Sequence, residues 1–157
     1  MILRKMYELA NSHKELALNQ LCIGAIFFAM RSCEYLLTSH NEDSKRTKTL
    51  RMRNIKFKKD GNLLHNNSPD LPFSDLVIIT FEFQKNNRRN KAVHMFKTND
   101  KILCPVKAWA YTIARIGDTV PRANEDTKVC AYVDQGQIRY LDSSYARAKL
   151  RGIVELI

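Results

Sequence analysis

Residues 76–83, LVIITFEF, constrain the chain most, because seven of the eight are β-branched, aromatic or leucine. A run of that length and composition predicts a buried strand. The polar, turn-forming stretch Asn86–Asn90 follows, and Ala92–Phe96 supplies a second short strand, so the middle of the chain predicts a β-hairpin. Upstream, Leu50–Phe57 alternates and predicts a weaker strand, then a loop carries Gly61, Asn66, Asn67, Pro69 and Pro72.

Helical patterns flank this region on both sides. Ser12 with Glu15 fits a capping box, and Leu16, Leu21, Cys22, Ala25 and Phe28 recur near the helical period, ending about Ala29–Arg31. Ser32–Leu37 predicts a further short helical turn, broken by a polar run over 38–48. Pro105 opens another helix, whose stripe Val106, Trp109, Ala110, Ile113 and Ile116 runs to Gly117. Asp118–Lys128 reads as a loop and Val129–Val133 as a short extended piece. Asp142 or Ser143 caps a last helix, Ser144–Ile157. The expected fold is α+β and mainly helical, with helices around a small antiparallel three-stranded sheet.

A chain of 157 residues that is 45% hydrophobic has the length of about one domain and enough apolar material for a core. The longest apolar run, Ile23–Met30, is far short of a membrane span. The opening segment lacks the apolar core and cleavage site of a secretory signal, so an intracellular protein with no membrane partner is expected. Cys22, Cys33, Cys104 and Cys130 show no zinc-ligand spacing and read as buried free thiols, with no metal.

The net charge is +10, with a pI near 9.6, and its distribution is uneven. Segment 41–60 holds eight basic residues against three acidic, and segment 84–101 holds six against one, a net of +5 each. The remaining residues balance, with 12 of each sign. Clustered Lys and Arg are what a phosphate backbone selects, since each contact releases condensed counterions.

Three stretches then fall in one order. Phe28-Ala29-Met30-Arg31-Ser32-Cys33-Glu34-Tyr35-Leu36 closes a helix, Phe81–Arg88 carries Lys85 at the hairpin turn, and Leu103-Cys104-Pro105-Val106-Lys107-Ala108-Trp109 opens the next helix. Together they resemble the catalytic domain of tyrosine recombinases, the phage-integrase family, and especially divergent forms from eukaryotic mobile elements. The first is similar to the family's Gly-Leu-Arg-x-x-Glu-Leu box, with Ala29 where Gly is usual; the last is similar to a Cys-Pro-Val box.

That resemblance implies recombination and integration of double-stranded DNA without a cofactor. Arg31 would hold the scissile phosphate through its two-pronged guanidinium, and Lys85, or Lys91 in its stead, would protonate the leaving oxygen. Glu34 would brace the helix and orient Arg31. Lys45, Arg46, Lys48, Arg51, Arg53, Arg88, Arg89 and Lys91 would contact DNA, other recombinase protomers would be partners, and a eukaryotic host would place the protein in the nucleus.

The resemblance also marks what is missing. The family's His-x-x-Arg box and nucleophilic tyrosine follow the Cys-Pro helix, yet all four histidines precede Cys104. The chain ends within a helical pattern, so the expectation is one partial catalytic domain, residues 1–157, without the last third of the family domain and without its N-terminal core-binding domain. Such a chain is expected to bind DNA but not to cleave it alone. The alternative is a regulatory or nucleic-acid-binding module that kept the fold. An RNA-binding protein is weaker, because no stacking motif interleaves the basic runs. A metal-dependent nuclease is weaker too, because Asp70, Asp75 and Glu82 form no ligand-like pattern.

Overall fold

The central helix explains the rest of the architecture. In a computed structural model, which describes residues 1–38, 48–83 and 89–157, a first helix α1 (Ile2–Leu9) leads into α2 (His13–Phe27). The Ser12 hydroxyl caps α2 by accepting from the Glu15 amide at 3.2 Å. Apart from the half-buried Gln20, residues from Ala17 to Ala25 are buried, as expected of a helix surrounded by other elements. The buried Asn19 side chain donates to Leu3 O at 3.0 Å, tying α1 to it.

After α3 (Ser32–Tyr35) the chain makes a 3-10 turn at Met52–Asn54 and enters β1 (Ile55–Lys59) and β2 (Asn62–Leu64). Then come β3 (Leu76–Phe83), β4 (Arg89–Phe96), α4 (Pro105–Thr119), β5 (Ala131–Asp134), β6 (Gln137–Tyr140) and α5 (Ser143–Val154). Strands β2-β1-β3-β4 form one antiparallel sheet in that order, and β5-β6 form a separate hairpin. Among the described residues, no helix is long and apolar enough to cross a membrane.

The fold is therefore mixed α+β, with a larger sheet content than expected. The anticipated three-stranded sheet has four strands, and the second hairpin adds two more. Both additions hang on two-residue turns, Asp60-Gly61 and Gln135-Gly136, with φ of 50° and 79° and of 49° and 75°. Positive φ at both central positions is the type I′ requirement, and this turn matches strand twist. The strand expected from Leu50 begins only at Ile55, because the Asn54 side chain accepts from the Arg51 amide at 2.8 Å and winds the preceding residues into a turn.

The inner face of the sheet, with Ile55, Phe57, Val77, Ile79 and Phe81, packs with α4 and α2 into one core. The α4 stripe read from the sequence is buried throughout, and Cys104 and Trp109 are fully enclosed. A Cβ at Gly24 would lie 2.6 Å from the Trp109 ring, so only glycine lets α2 and α4 approach this closely. The Asp142 carboxylate caps α5, accepting from the Tyr145 amide at 2.8 Å.

Candidate nucleic-acid interface

Arg31 is set by the way α2 stops. Met30 N–H donates to Ala25 O at 2.9 Å and Ala29 N–H to Ile26 O at 3.2 Å, the paired bonds of a Schellman ending. This ending needs a left-handed residue, and Ala29 supplies it at φ 50°. Glycine would meet this φ without the crowding that a Cβ brings. Arg31 follows as the exposed N-cap residue of α3.

Glu34 holds Arg31 through the main chain. Its buried carboxylate accepts from the Arg31 amide at 2.7 Å, and the Glu34 amide donates to Arg31 O at 2.9 Å. Glu34 O in turn accepts from the Leu50 amide at 2.8 Å, and the Thr49 hydroxyl donates to Leu36 O at 3.4 Å. The chain returning through Lys48 is thereby fastened to the Arg31 turn.

The two basic segments meet at Phe83. Its ring has Lys48 Nζ 4.8 Å from its centroid and the Arg89 guanidinium 5.3 Å away. Phe83 pairs with Arg89 across the hairpin, and Phe81 pairs with Lys91 two residues on, so both cations on β4 follow one side of the sheet. A cation near an aromatic face is worth about 0.5–1 kcal/mol at an exposed site. Here it positions charge as well, since Lys48 comes from the first segment and Arg89 from the second. Arg31, Lys48, Arg89 and Lys91 form no ion pair with a described residue.

No protein-family model matches the chain, and no curated protein sequence matches it.

Arg51 and Arg53 of the first segment are engaged within the fold. Arg53 Nε donates to Glu82 Oε1 at 2.8 Å, and its Nη1 is paired with the Asp126 carboxylate. The Arg53 guanidinium, helped by the Asn54 amide at 2.9 Å, holds the Glu82 carboxyl below its usual range. Arg51 Nη1 donates to Asp126 O at 2.6 Å. Both arginines therefore fasten the loop around Asp126 to the sheet. Lys45, Arg46, Lys85 and Arg88 lie outside the described residues.

Sequence reasoning did not single out Phe83 as the point where the charges collect. The signal lay in strand alternation, which puts Phe81 and Phe83 on the side that Lys91 and Arg89 share. Burial raises the pKa of two tyrosine hydroxyls. Tyr35, hydrogen-bonded to Cys22, is pushed by burial up to about 12, and burial raises Tyr145 as well. The Lys14 ammonium sits 3.8 Å from the Tyr145 ring centroid and 5.5 Å from that of Tyr132, which packs α2 against α5 and β5.

Proposed function

We propose that this chain is part of a tyrosine-recombinase-like catalytic domain that binds duplex DNA and retains the Arg31 end of a scissile-phosphate site. The observation that carries the reading is the convergence of Lys48 and Arg89 on Phe83, with Leu50, two residues after Lys48, bonded to Glu34 of the Arg31 turn. Two segments with excess positive charge thereby serve one surface. Arg and Lys that form no ion pair with a described residue, gathered on one side of a hairpin, suit the closely spaced phosphates of a strand.

In this reading the chemistry stops at binding, since the chain holds no His-x-x-Arg box. A phenol attacks phosphorus only when it is positioned and readily deprotonated, and burial works against deprotonation at Tyr35 and Tyr145. In this reading Arg31 neutralises one phosphate and Glu34 fixes the Arg31 backbone. Strand cleavage awaits a second arginine and a nucleophile supplied from elsewhere. Lys85 remains the proposed general acid, and other protomers the proposed partners, in a nuclear setting if the host is eukaryotic.

The alternative reading, a binding module with no cleavage chemistry, draws on the same raised tyrosines. Two measurements separate the outcomes. Fluorescence anisotropy with labelled duplex DNA is expected to show binding that weakens steeply as salt rises. A nicked suicide duplex is expected to give no covalent protein–DNA product. Absence of binding at low salt overturns both readings. A covalent adduct at a tyrosine of this chain overturns the inactive assignment.

A further inference from the structure

The four-stranded sheet has a second face, opposite α4. Register and alternation set Leu63, Lys58, Leu76 and Phe96 in one row across β2, β1, β3 and β4, with Lys56, Ile78 and His94 in the next row across β1, β3 and β4. The residues between them, Phe57, Val77 and Ile79, are fully buried on the inner side. On the outer side Leu63 is 58% and Phe96 71% exposed. Lys56 and Lys58 form no ion pair with a described residue, whereas their neighbours Lys59 and Lys97 are paired with Asp70 and Asp75. Glu82, the carboxylate on the same alternation of β3, is occupied by Arg53 and Asn54.

We propose that this outer face docks an acidic amphipathic segment of a partner protein, its apolar side chains lying on Leu63, Leu76 and Phe96 and its carboxylates on Lys56 and Lys58. Charge decides the occupant. A second copy on the same face would set like charges against one another, which costs affinity. A nucleic-acid strand would need a broad platform of stacking rings, and these rows carry rings only on the edge strand β4, at Phe96 and His94, with aliphatic side chains and lysines on the other three strands. Lys58 stands in the middle of the apolar row, so insertion into a bilayer would carry its ammonium toward hydrocarbon. A carboxylate presented between apolar side chains meets both demands at once. The inference is independent of the DNA reading, because Arg89 and Lys91 belong to the opposite alternation of β4.

The test uses the whole chain and a labelled helical peptide with leucines at i, i+3, i+4 and i+7 and glutamates elsewhere. Anisotropy at physiological salt is expected to show saturable binding. Lys56→Glu/Lys58→Glu, and separately Leu63→Ser/Phe96→Ser, should each weaken it about tenfold or more. Lys101→Glu/Arg122→Glu changes net charge equally and should leave it unmoved, with circular dichroism establishing that every variant folds. Amide shifts should map to the outer rows. Equal loss in the charge control overturns the proposal. So does finding that these substitutions abolish binding of phosphatidylserine vesicles or single-stranded RNA, or self-association in sedimentation, while leaving peptide binding intact.

Discussion

Replacing alanine with glycine should stabilise this protein at one position and destabilise it at another. Ala29 sits at φ 50°, where an L-residue pays roughly 1–2 kcal/mol for the approach of its Cβ to the carbonyl. Glycine removes that strain but brings an unfolded-state entropy cost of about 0.5–1 kcal/mol. The net expectation for Ala29→Gly is a gain of about 0.5–1 kcal/mol, or a rise in Tm of roughly 1–4 °C for a chain of this size. Ala148, exposed within α5, has ordinary helical geometry, so Ala148→Gly should lose about 1 kcal/mol. Urea unfolding of the two variants beside the parent isolates the effect, because the chemical change is identical and only the backbone differs. If Ala29→Gly loses as much as Ala148→Gly, left-handed strain at the end of α2 is not what sets the Arg31 turn.

Other consequences follow from the packing and the pairs. Gly24→Ala drives a methyl into the Trp109 ring and should cost about 1–3 kcal/mol, read as a lower urea midpoint with unchanged m-value. Glu34→Ala strands the Arg31 amide and should cost about 1–2 kcal/mol, whereas Glu34→Gln keeps an acceptor and should lose much less in the same assay. The Glu82 carboxyl titrates below its ordinary 4.5 because Arg53 and Asn54 bond its ionised form. Its stabilisation is complete above that pH and is lost as pH falls through the lowered folded value. Thermal unfolding at neutral and acid pH should show a smaller acid loss in Glu82→Gln.

What could be read from the sequence follows how far apart the cooperating residues are. Leu76–Phe83 and the α4 stripe were legible because each carries its full pattern within one run, and both occupy the expected places. Strands β2 and β6 were not, since three or four residues hold too few alternations to stand out. Their turns did carry a signal, an Asp-Gly and a Gln-Gly that match the type I′ requirement. Charge counting located the basic segments but did not separate free from engaged cations. The carboxylates that occupy Arg53 lie 29 and 73 residues away, a distance that only the fold closes. Arg31 and Glu34 were legible as a pair, yet their bond runs through the Arg31 amide, which side-chain types alone do not specify.

The central claim, that Lys48 and Arg89 present one phosphate-binding surface while Arg53 is spent inside the fold, has a direct measure in the salt dependence of duplex binding. Each phosphate contact contributes about 0.9 to the slope of log K against log salt for B-form DNA. Lys48→Ala/Arg89→Ala should therefore lower that slope by about 1.8. Arg53→Ala should leave the slope unchanged while lowering the urea midpoint. A full slope in the Lys48/Arg89 variant, or a slope lost only with Arg53, would contradict the account.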